Sequence, residues 1–268
     1  MHRVKFAIVN MFLLATGALL LTGCSTTPVD KTAGMSPNTL YAEVKDEMAS
    51  GQWEKAIPLL EKLEARAAGT PLAQQAELDK AYVYFKTQEP AQALATLDRF
   101  MKLHPASPAM DYALYLKGII NFNDDLGMFS SLTRQDLAER DQKAAKESFE
   151  SFKELVARFP DSRYAPDASQ RMTYIVASLA QYEVYVARYY FKRGAYLAAI
   201  NRAQLTVADY RDVPAIEEAL FIIYQSYDAL GMDQLRDDAK RVLEANYPQS
   251  EFLLKGARSK KDPWWKVW

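Results

Sequence analysis

The sequence is poor in the residues from which reactive sites are built. It contains one cysteine, two histidines and ten glycines among 268 residues. One cysteine cannot form a disulfide within the chain. His104 directly precedes a proline, with no cysteine or second histidine at metal-ligand spacing, and no glycine-rich phosphate loop occurs. The sequence therefore predicts a binding protein rather than an enzyme, with no metal and no cofactor.

Charge and composition narrow the choice of partner and of fold class. The 33 basic and 34 acidic side chains nearly balance, whereas nucleic-acid binding normally requires a basic patch or stripe. Nucleic acid is therefore not expected as a partner. Runs of Ala, Leu, Glu, Gln and Lys dominate, and period-2 alternation of β-branched residues is nearly absent. This composition predicts an all-α fold.

The single cysteine follows an apolar segment near the start of the chain. Arg3 and Lys5 precede a run of apolar and small residues over 11–21. That layout is typical of a secretory signal, and the run is shorter than the roughly 20 residues of a membrane-spanning helix. The run ends in Leu-Thr-Gly-Cys24, which resembles the bacterial lipobox.

The lipobox resemblance implies that the chain is cut before Cys24. The sulfur would then carry a diacylglycerol and the new amino group a palmitoyl chain. Serine rather than aspartate follows the cysteine, which in Gram-negative lipoproteins of this kind implies sorting to the outer membrane. We therefore expect a lipid-anchored protein that faces the periplasm.

Helix–turn–helix units repeat along the rest of the chain. Gly51, Gly194 and Gly231 each open a turn, and Gln88-Glu-Pro90 is a degenerate copy. The glycine permits a tight exit from the first helix of a unit, and the units end alike at prolines 105, 160 and 248. These features match the tetratricopeptide repeat (TPR). A single globular bundle is the alternative.

The repeat pattern divides the chain into four predicted segments. Residues 1–23 are a signal peptide, 24–37 the lipidated cysteine with a flexible linker, and 38–248 a solenoid of five hairpins. Residues 249–268 form a basic, Trp-rich tail. The hairpins fall at 38–69, 70–105, 106–160, 161–211 and 212–248. The third and fourth are enlarged, and the fourth is expected to begin with one long helix from about 164 to 193.

Candidate binding residues lie on the second hairpin. Tyr82 and Phe85 share one helix face, and Arg99 and Lys102 lie three residues apart on the following helix. Two basic side chains at this spacing suit a carboxylate or an acidic segment. We expect these four residues to line a groove for a substrate peptide, with ordinary hairpin packing as the alternative.

Aromatic residues form further stripes, which are open to the same two interpretations. They are Tyr182, Tyr185 and Tyr189 on the fourth hairpin, and Phe221, Tyr224 and Tyr227 on the fifth. The tail holds three of the four tryptophans within its last five residues. It either folds back on the last repeat or docks on a partner or a lipid headgroup layer.

Several stretches together resemble the BamD family of lipoproteins, which belong to the outer-membrane β-barrel assembly (BAM) complex. The enlarged third and fourth repeats are also features of that family, whereas Arg66-Ala-Ala-Gly69 stands where the family often has Arg-Tyr-Pro. The stretches are Pro37-Asn-Thr-Leu-Tyr41, Gly51-Gln-Trp-Glu-Lys-Ala-Ile57, Asp111-Tyr-Ala-Leu-Tyr-Leu-Lys-Gly118, Phe159-Pro-Asp-Ser-Arg-Tyr164 and Asn201-Arg202.

The resemblance implies a non-enzymatic scaffold needed for inserting β-barrel proteins into the outer membrane. Its N-terminal repeats would receive targeting segments of unfolded barrel proteins. Its C-terminal repeats would dock BamA and BamC, with BamE as a further partner, and Arg202 would contact BamA. A different TPR lipoprotein, such as a pilotin for secretin or pilus assembly or a cell-division adaptor, is the alternative.

Overall fold

A computed structural model describes residues 32–122 and 142–255. Within these ranges all regular secondary structure is α-helical. The prediction of an all-α fold is confirmed. None of the described helices is long and apolar enough to cross a membrane. In chain order they are α1 (Pro37–Ala49), α2 (Trp53–Arg66), α3 (Pro71–Lys86), α4 (Pro90–Leu103), α5 (Met110–Phe122), α6 (Gln142–Arg158), α7 (Ala165–Lys192), α8 (Tyr196–Asp209), α9 (Ala215–Ala229), α10 (Asp233–Asn246) and α11 (Glu251–Lys255).

The helices pack as consecutive hairpins. Each helix from α1 to α9 contacts the next one, and the first helices of neighbouring hairpins also meet, α1 with α3, α3 with α5, and α7 with α9. This is the stacking expected of a TPR solenoid, in which each hairpin buries its apolar face against its neighbours. Helix α7 has 28 residues, so the prediction of one long helix in the fourth repeat is confirmed.

One hydrogen-bond pattern closes the turns inside four of the hairpins. The backbone N–H of Gln52 donates to the carbonyl of Glu47 at 2.8 Å, and the same six-residue bond recurs after α3, α7 and α9. This Schellman pattern requires a left-handed residue just past the helix. Gly51 takes that conformation with φ of 74°, whereas the degenerate turn places Gln88 there with φ of 61°.

The folded body begins earlier than the sequence predicted. Thr32 is buried, Met35 packs on the apolar cluster of the first hairpin, and Ser36 caps α1 by accepting a hydrogen bond from the N–H of Thr39 at 3.2 Å. Part of the segment predicted as flexible linker therefore belongs to the first hairpin. Cys24 lies outside the described residues.

Helices α5 and α6 approach each other closely at Gly118. A Cβ atom at this position would lie 2.3 Å from Cε1 of Phe152, whose ring is fully buried. The hydroxyl of Ser148 donates to the Gly118 carbonyl at 2.8 Å, so a hydrogen bond from α6 to the α5 backbone accompanies the apolar contact. Glycine is required here because the ring fills the space that a side chain would need.

Replacing Gly118→Ala is therefore expected to destabilise the fold, although alanine favours helix by about 1 kcal/mol. Overpacking of this kind costs about 1–3 kcal/mol, so urea unfolding should show a net loss of up to about 2 kcal/mol. In a Phe152→Leu background the same change should be neutral or stabilising. An equal loss in both backgrounds would contradict the proposed contact.

Candidate functional site

The first helices of the N-terminal hairpins share a polar contact. Tyr41 on α1 donates its hydroxyl to Asp79 Oδ2 on α3 at 3.0 Å, and Gln75 donates to Asp79 Oδ1 at 2.9 Å. We call the side of α1, α3 and α5 that carries these groups, together with Tyr112 and Tyr115 on α5, the inner wall. The hydrogen bond from Tyr41 ties α1 to α3 across the first repeat boundary.

Burial changes the acidity of both partners. Burial is the largest influence on the Asp79 carboxyl and raises its pKa, although hydrogen bonds from Gln75 and Tyr41 and the charge of Lys45 oppose the rise. Burial, with the neighbouring Asp79 charge, raises the pKa of Tyr41 to about 12. Tyr41 therefore keeps its proton at neutral pH and remains a hydrogen-bond donor.

Aromatic rings continue this surface across α5 to the start of α7. The Tyr164 ring lies 5.7 Å from that of Tyr112 and stacks on Tyr115 at 4.6 Å. The Tyr115 hydroxyl donates to Asp167 Oδ2 at 2.8 Å, and Arg171 Nε donates to the same oxygen at 2.7 Å. Burial raises the pKa of Tyr112, with the Asp79 charge as the next cause. Tyrosines and aspartates thus follow one another from the first hairpin to the start of the fourth.

The sequence pattern predicted no role for these inner-wall tyrosines. Tyr112 and Tyr115 lie three residues apart on α5, a spacing that places two side chains on one helix face. That signal was available in the sequence. Their meeting with Tyr164 was not, because it depends on the register between two hairpins. Rings with hydroxyl groups offer both apolar area and hydrogen bonds, which suits peptide binding.

A cluster of opposite charges joins α2, α3 and α4. Lys80 Nζ lies 2.6 Å from Glu64 Oε1, and Arg99 lies 3.2 Å from Glu64 and 2.6 Å from Glu77. Lys80 and Glu77 are nearly buried, whereas half of the Arg99 side chain is exposed. His104 Nε2 lies 3.6 Å from the other oxygen of Glu77. Each buried charge in the cluster faces an opposite one, as burial requires.

Two clefts adjoin this charged cluster. The first has a volume of about 390 Å³ and is lined by Glu64, Glu77 and Arg99 among others. The second, of about 520 Å³, runs along the start of α3 and the segment after α4. Gln74, Leu103 and His104 line both clefts, and 61% of Leu103 is exposed. The two clefts therefore share a wall that includes the exposed apolar side chain of Leu103.

The four predicted groove residues do not form one cluster. Tyr82 packs edge-on against Trp53 at 5.9 Å, and Phe85 is half-buried against the apolar cluster of the second hairpin. Arg99 instead pairs with Glu77 on α3. Glu77 lies five residues before Tyr82, a separation of about 7.5 Å along the helix axis. Lys102 is exposed. Of the four, only Arg99 is among the residues lining the two clefts.

Arg202, the predicted partner contact, lies on α8 beside α7. Its Nη1 donates to Glu183 Oε2 at 2.9 Å. The Arg202 side chain is 41% exposed, whereas that of Glu183 is 12% exposed. Burial raises the pKa of nearby Tyr210, with the Glu183 charge as the second cause. Arg202 is thus held by an internal carboxylate while part of its guanidinium stays accessible.

The two aromatic stripes differ in exposure. Tyr185 and Tyr189 on α7 are 47% and 49% exposed, and the Arg193 guanidinium lies 5.1 Å from the Tyr189 ring. Phe221 on α9 is buried, and its ring stacks on Phe252 at 5.5 Å. The stripe on the fifth hairpin thus includes core packing, whereas the stripe on the fourth presents tyrosine rings to solvent. The start of the predicted tail is described, and Phe252 on α11 packs back on the last repeat; the tryptophans of the tail lie outside the described residues.

Within residues 32–122 and 142–255, no group of three or more histidine, cysteine, aspartate or glutamate side chains is placed to hold a metal ion. The arrangement there is one of grooves, rings and paired charges. Such surfaces suit the binding of polypeptide segments.

Comparison with known proteins gives relatives whose names all refer to the outer membrane. The family model "YfiO: Outer membrane lipoprotein" matches residues 33–252. The outer membrane protein assembly factor BamD of Neisseria meningitidis serogroup B is 45% identical over 97% of this chain and 99% of its own length. The factors of the same name from Vibrio cholerae and Haemophilus influenzae are 36% and 33% identical, over 85% and 92% of this chain and 94% and 92% of theirs.

Replacing Asp79→Asn should change how stability depends on pH. The folded state holds the Asp79 proton more tightly than the unfolded state, because burial raises its pKa. The carboxyl therefore favours folding below its unfolded pKa, and this contribution is lost as pH rises through the folded pKa. Relative to the parent, the Asp79→Asn variant should gain stability between about pH 4 and pH 7 in urea unfolding.

The variant Tyr41→Phe is the matched control for this pH dependence. It removes a donor that stabilises the charged carboxylate, so stability should fall more steeply with rising pH than in the parent. If Asp79→Asn instead loses stability relative to the parent as pH rises, the ionised carboxylate is favourably held and the assignment fails.

Proposed function

The chain belongs to the YfiO family of outer membrane lipoproteins, and from this premise we propose that it serves as a scaffold of the outer-membrane β-barrel assembly machine. It is a non-enzymatic assembly factor. The observation that carries this function is the match to relatives named BamD, which at 45% identity spans 97% of the chain and nearly all of the relative. The same names do not support a pilotin or a cell-division adaptor.

The proposed location is the periplasmic side of the outer membrane. Cys24, with its lipobox, would carry the S-diacylglycerol and N-palmitoyl chains that hold the protein there. One acyl chain gives only marginal, reversible binding, and stable anchoring takes two signals. Lipidation at this single cysteine would supply all of them.

The proposed partners divide between the two halves of the array. BamA and BamC would dock on the C-terminal repeats, and BamE is a further proposed partner. Unfolded outer-membrane β-barrel proteins would present their targeting segments to the N-terminal repeats. The exposed part of Arg202, on α8 of the fourth hairpin, makes it the proposed contact with BamA.

Two surfaces support binding of a substrate segment to the N-terminal half. The first cleft, beside the charged cluster, offers Arg99 and exposed Leu103. The inner wall offers Tyr41 and Tyr112. Tyr82, Phe85 and Lys102 remain proposed contacts, on parts of α3 and α4 that do not line the two clefts.

Depleting the protein tests the proposed function as a whole. The amount of trimeric porin in the outer membrane should fall as the protein disappears, because porin barrels would no longer be assembled. Supplying the chain in trans should restore it. Normal porin levels together with absent pili or disturbed septation would instead favour a pilotin or a cell-division adaptor.

A charge-reversal pair tests Arg202 separately from its internal partner. Arg202→Glu should reduce co-purification with BamA by about tenfold or more, which corresponds to at least about 1.4 kcal/mol of binding free energy. It also places two carboxylates together and should lower the unfolding temperature. The swap Glu183→Arg with Arg202→Glu recreates an ion pair and should restore that temperature.

The proposed contact requires that the swap leave BamA binding weak, because the positive charge has moved from α8 to α7. If the swap restores binding along with stability, Arg202 acts only inside the protein. If Arg202→Glu alone leaves binding unchanged, the contact does not exist.

A further inference from the structure

The segment before α1 is held against α2 by two basic side chains. Arg66 Nη1 donates to the Thr32 carbonyl at 2.6 Å, and its Nη2 approaches Thr32 Oγ1 at 3.4 Å. Lys62 Nζ donates to the same hydroxyl at 3.3 Å. Thr32 is only 7% exposed although it is polar. We call Thr32, Met35, Lys62 and Arg66 the N-terminal clasp.

The geometry of the clasp follows from the sequence of α2. Lys62 and Arg66 lie four residues apart and so share one helix face. Arg66 lies in the last turn, where a positive charge is favourable next to the helix carbonyls. Its planar fork presents several donors at once, which suits the carbonyl and hydroxyl of one residue. The Thr32 carbonyl also accepts the N–H of Met35 at 3.0 Å.

The next hairpin shows what the clasp replaces. Lys62 lies six residues after Ala56, and Arg99 lies six residues after Ala93 at the equivalent place on α4. Arg99 reaches back to Glu64 on the preceding second helix at 3.2 Å. The first hairpin has no preceding repeat in the described array, and Thr32 takes the corresponding position. Terminal repeats of a solenoid require such a cap.

We propose that the N-terminal clasp fixes the point at which the lipid tether leaves the folded body. The proposal rests on the lipidation of Cys24 put forward above. If the tether ran free up to Pro37, its 13 residues would reach at most about 45 Å. With Thr32 fixed, eight residues remain, which reach at most about 28 Å. The clasp thus holds the edge of the first hairpin that carries Lys62 and Arg66 towards the membrane.

The clasp leaves the inner wall available. Asp79 accepts hydrogen bonds from both Tyr41 and Gln75, and none of the three contributes to the clasp. The tether is therefore short without covering the surface proposed for substrate segments. A scaffold that passes barrel proteins to a membrane-embedded partner benefits from being held close to the membrane. A shorter tether raises the effective concentration of linked sites.

Energy transfer to a membrane tests the clasp in the lipidated protein. Gln52→Cys provides a labelling site on an exposed turn, and its thiol is the free one if Cys24 is acylated. The labelled protein is placed in phospholipid nanodiscs that contain acceptor-labelled lipid. In the parent the donor should show a short, narrow range of distances. Lys62→Ala with Arg66→Ala should broaden it and lengthen it by up to about 17 Å, the length of five released residues.

Lys153→Ala with Arg158→Ala is the matched control. It also removes one lysine and one arginine charge, but from exposed positions on α6, where Lys153 and Arg158 pair with Glu150 and Glu154 of the same helix. It should leave the distances unchanged. A clasp variant that still binds the discs with the distance range of the parent overturns the proposal.

Hydrogen exchange in the same samples separates the clasp from the anchor. Amides of residues 32–36 should exchange at least tenfold faster in the clasp variant than in the control, and equal rates overturn the proposal. If no chain, including the parent, binds the discs, the lipidation of Cys24 is refuted instead, together with the shortened tether that depends on it.

Discussion

Packing between hairpins is the constraint on which the rest of this structure depends. A single helical hairpin cannot bury its own apolar face, so each one is ordered by the next. The contacts of α1 with α3, α3 with α5 and α7 with α9 bring together groups that are far apart in sequence. The bond from Tyr41 to Asp79 and the stack of Tyr115 on Tyr164 exist only because of this packing. The proposed binding surfaces are therefore formed where neighbouring repeats meet.

The sequence predicted those features that local signals control. Glycine at turn positions and proline after helices are short-range signals, and the four Schellman-type turns and the 28-residue α7 follow from them. The polar contacts were not predictable in the same way. Tyr41 and Asp79 are 38 residues apart, and their meeting depends on the register of separate helices. Pairing Arg99 with Lys102 from their spacing alone overlooked Glu64 and Glu77, which already neutralise Arg99.

The boundary of the folded body shows the same limit. Residues 32–36 (Thr-Ala-Gly-Met-Ser) are mostly small and stand directly before a proline, a composition typical of linkers. Their attachment to α2 depends on Lys62 and Arg66, some 30 residues later in the chain. A segment that composition assigns to a flexible tether is instead the cap of the first repeat. The clasp, the charged cluster and the Arg202–Glu183 pair are all bonds between neighbouring elements of one array.

The central claim is that this array is a scaffold for outer-membrane barrel assembly, and chemical crosslinking in intact cells tests it most directly. The protein would be recovered from detergent-solubilised membranes after crosslinking, and its bound polypeptides identified by mass spectrometry. The account predicts BamA and incompletely folded β-barrel proteins among the crosslinked species. Recovery of a secretin or of septal proteins, with BamA and barrel proteins absent, would contradict it.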